Sequence, residues 1–342
     1  MKKTATLAVG CFCFLTLPML AAAVPLVSTA EATIIRLQPG VTGDKIQVAL
    51  DSLPASGGEV VLPPGNFFIH QPLVLRRDFQ TLRGSGAATV LRLVDNANSP
   101  VLILGEPVNS PRHTVKNLCV RDLTIDGNRK NQTRELWKLA GEGSEIRNNG
   151  LTVQAVENSV VENVTAAHNR SGGLVTTLGV RHLTVKNFES FDNEFDGLAC
   201  YLTEESTFTG LNLHHNPGAG ISLDLSFNYN VISNATLTAN DLGIFMRSSN
   251  QNKFFGVSIK DSHHHGVFIA QAEEFRDGLT QPAPMTECTH NAFTNLAAVN
   301  CGGAAFRVND STCTNNVLVG PRFNGNRKGN LSLAGPDLVT VR

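Results

Sequence analysis

The most constraining feature of this sequence is a short pattern, a glycine followed by alternating apolar and variable residues, that recurs at a nearly fixed spacing. The glycines are 23 or 24 residues apart, at Gly150, Gly173, Gly197, Gly220, Gly243 and Gly266. Self-similarity at this period is typical of a solenoid, in which each coil buries its apolar face against its neighbours. Because the repeats contain short alternating strands, the pattern predicts a β-solenoid with regular coils over about residues 150–270.

Each repeat has the same internal plan, which indicates three strands per coil. In the coil that begins at Gly150, second and third strands are predicted near residues 159–161 and 164–166. An asparagine stands four residues before successive glycines, at Asn169, Asn193 and Asn216. Asparagines stacked at one turn can hydrogen-bond along the axis, so a buried ladder is expected. The predicted fold class is all-β, a single-domain right-handed parallel β-helix with 23–24 residues per coil.

The N-terminal part fits a capped and exported solenoid. Apolar residues at positions 46, 49, 50 and 53 have helical spacing, which predicts a short helix at about residues 43–53 that covers the first coil. Lys2 and Lys3 precede an apolar stretch at 7–26 and an Ala-Glu-Ala cleavage pattern at 30–32. This order predicts a signal peptide over residues 1–32 and a β-helix domain over 33–342, secreted or periplasmic, with no membrane contact after cleavage.

Composition excludes several classes of protein. Charged residues make up 17% of the chain and the formal net charge is -1, so there is no basic footprint for nucleic acid, and no phosphate-binding loop is present. Beyond the signal peptide the cysteines are Cys119, Cys200, Cys288, Cys301 and Cys313. Their spacing does not fit a zinc site, whereas a disulfide among the last three is compatible with an oxidising compartment. We expect a monomer without an obligatory cofactor.

Two stretches interrupt the period. One covers about residues 128–149 and contains Trp137, and the other covers about residues 271–291. Insertions in a solenoid form loops, and such loops often flank the binding face. The alternative is ordinary length variation at a tolerant turn.

Strand alternation separates inward from outward residues. The first and third residues after each glycine are nearly all apolar and are predicted to face the core. The fourth residue then points outward, and in successive coils it is Gln154, Thr177, Tyr201, Asp224, Arg247 and Ala270. Because neighbouring coils lie about 4.8 Å apart, Tyr201, Asp224 and Arg247 are expected to form one contiguous row, which we interpret as the catalytic candidates.

Aromatic and polar residues near this row are candidates for substrate binding. They are Trp137, Phe245, Phe268, Gln154, His264 and His265. Aromatic surface beside hydrogen-bonding groups is what a sugar-binding groove requires. His263, His264 and His265 form a run that is a weak signal for a transition metal. His168, Asp192 and His215 each stand five residues before a repeat glycine, so they are expected to stack.

Three segments carry a family resemblance. They are Leu123-Thr124-Ile125-Asp126-Gly127-Asn128-Arg129, Ser171-Gly172 and Phe195-Asp196-Gly197. Together they resemble the catalytic module of mannuronan C5-epimerases, and the opening at 55–67 resembles that of pectate-lyase-like β-helix proteins. The resemblance implies a β-helix that acts on an acidic polysaccharide such as alginate. Its chemistry, shared with the related lyases, begins with removal of the C5 proton of a uronate and requires a neutralised carboxylate, a base and an acid.

The catalytic residues of that family do not carry over. The family has a tyrosine at the position of Gly172, an aspartate and a histidine at those of Val175 and Thr177, and an aspartate at that of Tyr201. The resemblance therefore implies a fold and a substrate class without a catalytic assignment.

The residues themselves offer another assignment. Arg247 would neutralise the uronate carboxylate or act as base, Tyr201 would transfer a proton, and Asp224 would orient Arg247 or hold Ca²⁺. Two alternatives remain open at this stage. In a glycoside hydrolase, Asp196 and Asp224 would be the paired acid and base. In a non-catalytic protein, the same surface would only bind glycan.

Overall fold

The computed structural model describes residues 33–134, 146–271 and 287–342. The predicted signal peptide, Trp137 and large parts of both predicted loops lie outside these ranges. In the described ranges, the chain winds about a long axis as stacked coils, and every strand pairs in parallel with the strand of a neighbouring coil. The main path through the largest sheet contains 12 strands, which corresponds to about 12 coils and confirms the predicted all-β solenoid.

Three parallel sheets form the walls of the solenoid. Sheet 1 has 16 strands, which are Ile34–Arg36, Gly58–Val61, Gly65–Ile69, Gln80–Arg83, Thr89–Leu93, Cys119–Asp126, Val160–Ala167, Thr184–Phe191, Thr207–His214, Val231–Thr238, Lys253–Lys260, Ala292–Thr294, Ala297–Val299, Asn316–Val319, Arg322–Asn324 and Val339–Val341. Sheet 2 has ten strands, which are Leu73–Leu75, Leu102–Leu104, Leu151–Gln154, Leu174–Thr177, Leu198–Tyr201, Ala219–Asp224, Leu242–Arg247, Val267–Ala270, Phe306–Val308 and Leu331–Leu333. Sheet 3 has six strands, which are Val115–Lys116, Val156–Glu157, Val180–Arg181, Thr203–Glu204, Phe227–Asn228 and Ser249–Asn250.

The core lies inside the coils, as strand alternation predicts. In sheet 2 the first and third residues after each repeat glycine are fully buried, including Leu151, Leu198 and Met246. The thiol of Cys200 is also buried, which raises its pKa to about 12, so this cysteine fills the core rather than reacting. All five described cysteines are free thiols.

A helix covers the first coil. It spans Gly43–Ser52 and buries Ile46, Ala49 and Leu50 against the core, which confirms the predicted cap. A short 3-10 turn, Arg129–Asn131, follows the longest of the early strands.

Asparagine ladders run along the axis at two turns. Asn169 donates from Nδ2 to Asn193 Oδ1 at 2.7 Å, Asn193 to Asn216 at 2.9 Å, and Asn216 to Asn240 at 3.0 Å. All four are buried, so the predicted ladder is confirmed and extended by one coil.

A second ladder, which the sequence pattern did not reveal, joins four further asparagines. They are Asn230, Asn252, Asn291 and Asn316. One of its steps spans 39 residues, from Asn252 to Asn291, because the second inserted loop lies between them. The loop thus leaves the stacking register of the coils intact.

The corners between sheets 2 and 3 are single residues in the left-handed backbone region. They include Ala155, Leu202 and Leu225, with φ of 47°, 47° and 49°. Such a conformation is costly for residues other than glycine and asparagine. Leu225 directly follows Asp224, so a tight corner fixes the end of the strand that carries this carboxylate.

Candidate functional site

Tyr201, Asp224 and Arg247 lie side by side at the ends of three neighbouring strands of sheet 2. Tyr201 pairs with Asp224 in the strand register. Asp224 Oδ2 accepts hydrogen bonds from Arg247 Nε, at 2.9 Å, and from Arg247 Nη2. The predicted contiguous row is therefore present.

Asp224 is a buried carboxylate, not an exposed one. It is 2% exposed, and burial raises its pKa while Arg247 acts in the opposite direction. Its second oxygen, Oδ1, accepts from the backbone N–H of Leu225 at 2.8 Å. Because both oxygens already accept from protein donors, the suggested calcium role does not fit the geometry, whereas the suggested orienting role does.

Asp196 and Arg147 extend the charged row toward the start of the strands. Asp196 Oδ1 accepts from the backbone N–H of Ala219 at 2.7 Å. Burial raises the pKa of this carboxyl to about 6, against the lowering effects of the Ala219 N–H and Arg147. The Arg147 guanidinium also lies 4.8 Å from the centre of the Phe195 ring.

The tyrosine lies within electrostatic range of both carboxylates. Burial, followed by the charges of Asp196 and Asp224, raises the pKa of Tyr201 above its usual value, while Arg147 and Arg247 oppose the shift. The phenol is therefore protonated at neutral pH and is set up as a proton donor.

The two carboxylates are too far apart to act as a hydrolase pair. Asp196 Oδ1 binds the amide at the start of the strand Ala219–Asp224, and Asp224 Oδ1 binds the amide just beyond its end. Six extended residues separate these amides by about 20 Å at about 3.3 Å per residue, which leaves the two oxygens about 14 Å apart. Inverting glycosidases need about 6.5–9.5 Å and retaining ones about 5–5.5 Å.

An aromatic pair continues the outward face of sheet 2. Phe245 and Phe268 stack with ring centres 5.8 Å apart and planes 9° from parallel. Arg247 lies 5.2 Å from the Phe245 ring centre, and Arg307 lies 5.9 Å from that of Phe268. Cations therefore flank both rings.

The two candidate histidines have different surroundings. His265 packs against Phe268 with ring centres 5.6 Å apart, and its Nδ1 accepts from the Ala304 N–H at 2.9 Å. Burial and then Arg307 lower its pKa, so it is neutral and carries its proton on Nε2. His264 is exposed and its Nδ1 contacts Asp241 Oδ1 at 2.7 Å. Within the described ranges, no group of three His, Cys, Asp or Glu side chains is arranged to hold a metal ion.

Gln154 has a different role from the one predicted. It is 2% exposed, and its Nε2 donates to the carbonyl oxygens of Glu106 and Val108. The segment that carries these carbonyls covers the side chain, so Gln154 anchors a loop and is not an open substrate contact. The outward residues Thr152 and Ala199 are buried as well, which strand alternation alone does not indicate.

The positions of the family's catalytic residues lie on the same surface. Gly172 precedes the strand Leu174–Thr177, Val175 pairs with Ala199, and Thr177 pairs with Gln154. Among contributors to the site, Arg307 was missed by sequence reasoning. It pairs with Phe268, but the second inserted loop hides this relation from a search at a period of 23 or 24 residues.

In the described ranges, no helix is both long and apolar enough to cross a membrane.

Comparison with known families identifies the repeat. Residues 199–341 match the family model described as "Right handed beta helix region". Mannuronan C5-epimerase AlgE4 of Azotobacter vinelandii is 28% identical over 189 residues, which cover 50% of this chain and 32% of the relative. Mannuronan C5-epimerase AlgE6 of the same organism is 38% identical over 106 residues, which cover 28% of this chain and 12% of the relative. The matched region thus spans a third or less of either enzyme.

Solved structures show the same fold at low identity. The catalytic domain of a GH87 α-1,3-glucanase superposes with a TM-score of 0.65 at 12% identity, covering 94% of this chain and 70% of the other. An alginate lyase from Paenibacillus sp. FPU-7 superposes with a TM-score of 0.60 at 11% identity, covering 89% of this chain and 99% of the other. The chain is therefore a right-handed parallel β-helix that is similar in sequence, over part of its length, to mannuronan C5-epimerases.

Proposed function

We propose that this protein is an exported enzyme that acts on a uronate-containing polysaccharide by abstracting the C5 proton, as a lyase or a C5-epimerase. The observation that carries the proposal is the Tyr201 hydroxyl, which is protonated at neutral pH and lies between carboxylates and arginines on one face of sheet 2. Similarity to mannuronan C5-epimerases supports the reaction class.

The charged groups divide the chemistry among them. Arg247 uses Nε and Nη2 to bind Asp224, and its Nη1 has no hydrogen-bond partner among the described residues. Nη1 would bind the substrate carboxylate and stabilise the enolate that forms when C5 loses its proton. Because Asp224 fixes the guanidinium, Asp224 is a positioning residue.

Asp196 is the group best suited to accept the proton. With a pKa of about 6, its carboxylate is mostly ionised at pH 7 and is still basic enough to take a proton in the transition state. Tyr201 then supplies a proton. In a lyase, the C4–O4 bond breaks, O4 takes the tyrosine proton, and a C4=C5 double bond forms. In an epimerase, the proton goes to C5 from the opposite face.

The experiment is a substrate screen with a matched tyrosine pair. The mature protein is incubated with alginate, polygalacturonate and pectin, absorbance at about 235 nm reports elimination, and proton NMR reports epimerisation. The sequence has only two tyrosines. The second, Tyr229, is 53% exposed and contacts Gln251, so Tyr229→Phe is the control.

We expect Tyr201→Phe to lower the rate about 100-fold or more, the usual contribution of a positioned acid or base, and Tyr229→Phe to leave it unchanged. Activity on any of these substrates that survives Tyr201→Phe would overturn the assignment. An inactive wild-type protein across the whole panel would overturn the enzymatic proposal.

A glycan-binding protein without catalysis is the second candidate. The observation that favours it is that Gly172, Val175 and Thr177 stand where the resembled family has catalytic side chains. Retention of acidic polysaccharide on the protein without change in chain length, uronate composition or absorbance would support this reading.

A further inference from the structure

A second concave surface lies on sheet 1, outside the site described above. It is a pocket of about 330 Å³ at the ends of strands Thr89–Leu93 and Cys119–Asp126. Its walls are Arg92, Asp126, residues 128–131 and His168. Small-molecule sites usually measure about 300–1,000 Å³, so this pocket suits one sugar residue rather than a length of polymer.

One wall of the pocket is rigid. Arg92 forms an ion pair with Asp126 and donates from Nη2 to Asn128 Oδ1 at 3.0 Å. Asn128 is 6% exposed, and its Nδ2 donates to Asp95 Oδ1 at 2.7 Å and to the Leu93 carbonyl at 3.0 Å. A guanidinium has five N–H donors, so Arg92 keeps donors for a ligand after these two contacts.

The pocket carries an excess of positive charge. Arg92, Arg129 and Lys130 contribute three cations against the one carboxylate of Asp126. Arg129 is held by the Asn193 carbonyl, which accepts from Nη1 at 2.9 Å. Lys130 is exposed, and within the described ranges its ammonium has neither an ion pair nor a hydrogen bond. A fixed arginine, an anchored arginine and an unpaired lysine around one cavity are what recognises an anionic group.

His168 closes the pocket and joins it to the turn row. Its Nδ1 lies 3.4 Å from Asp126 Oδ1, and its Nε2 lies 4.0 Å from Asp192 Oδ2, so the predicted stacking of His168 with Asp192 is confirmed. Its ring also meets the edge of Phe191, with ring centres 5.7 Å apart. The histidine thus adds a polar and partly aromatic surface beside the cations, which suits a sugar that carries an acid group.

We infer that this pocket is a second glycan-binding site, which holds one uronate residue by its carboxylate and is separate from the reacting centre. The choice of a uronate rests on the proposed function, whereas the anionic character of the ligand rests on the pocket alone. A chain bound here and at sheet 2 would have two points of attachment, which raises its effective concentration at the second point.

The test is calorimetric binding of a mannuronate trisaccharide to the full mature chain in the Tyr201→Phe background, with a neutral trisaccharide as the ligand control. Lys130→Glu is compared with Lys253→Glu, because Lys253 is also an exposed lysine of sheet 1 without a partner among the described residues. We expect Lys130→Glu to weaken binding at least tenfold and Lys253→Glu to change it less than twofold.

Three results would overturn the inference: equal affinities in the two lysine variants, equal affinity for the neutral trisaccharide, or no binding of the acidic one. The outcome is independent of the activity screen. An inactive enzyme that still loses uronate binding in Lys130→Glu would refute the proposed reaction and leave the pocket assigned.

Discussion

Asp196→Asn is expected to stabilise the protein at neutral pH and to leave its stability unchanged in acid. Burial raises the pKa of Asp196 from 3.8 to about 6, so the folded state binds the proton more tightly than the unfolded state does. The resulting stability is fully present below pH 3.8 and is lost as pH rises through about 6. At 1.36 kcal/mol per pKa unit, the loss amounts to about 3 kcal/mol at pH 7.5.

Asparagine resembles the protonated acid and retains an oxygen for the Ala219 N–H, so the variant avoids this loss. Urea unfolding followed by circular dichroism at pH 4, 5, 6, 7 and 7.5 gives the difference in free energy of unfolding. The two proteins should coincide at pH 4 and differ by up to about 3 kcal/mol at pH 7.5, with half of the change near pH 6. Asp192→Asn controls for loss of a surface charge, because that carboxylate, in the same turn, is 49% exposed.

A difference that stays constant across this pH range, or a variant less stable than the wild type at pH 7.5, would refute the reasoning. The same variant should lose catalytic activity while it gains stability, since a strained charge at an active site is the usual origin of such a trade-off.

Two further predictions concern buried polar groups. Arg247→Met removes the partner of the 2% exposed Asp224 and should destabilise the fold by about 3 kcal/mol; adding Asp224→Asn should recover more than half, and an additive double variant in chemical denaturation would contradict this. Asn216→Ala breaks the ladder at a residue that accepts from Asn193 and donates to Asn240, and it should cost about 3 kcal/mol because several buried groups lose partners; the exposed Asn212→Ala should cost less than about 0.5 kcal/mol, and equal melting temperatures of the two would count against the ladder.

Periodicity made the architecture of this protein predictable. A glycine register of 23 or 24 residues fixes which side chains of sheet 2 face inward, and Leu198, Cys200 and Leu223 are fully buried as predicted. The same register places Tyr201 beside Asp224, so the row could be derived without a structure.

What the register does not encode is how far a side chain reaches and what covers the outer face. Gln154 is outward in the pattern, but the 106–108 segment binds it from above, and no local signal links residues 48 positions apart. The reach of Asp196 to the next coil, which separates it from Asp224, depends on its turn geometry. The sheet 1 pocket was missed because Arg92 and His168 come from coils with different internal lengths.

The second asparagine ladder has a consequence for how such a protein can change its specificity. The bond from Asn252 to Asn291 spans 39 residues and has the same 3.0 Å length as the bond from Asn216 to Asn240, which spans 24. Loop length and coil geometry are therefore decoupled at this point of the chain. Segments inserted between ladder residues can be exchanged or lengthened while the scaffold keeps its alignment, and a new binding surface then requires no new fold.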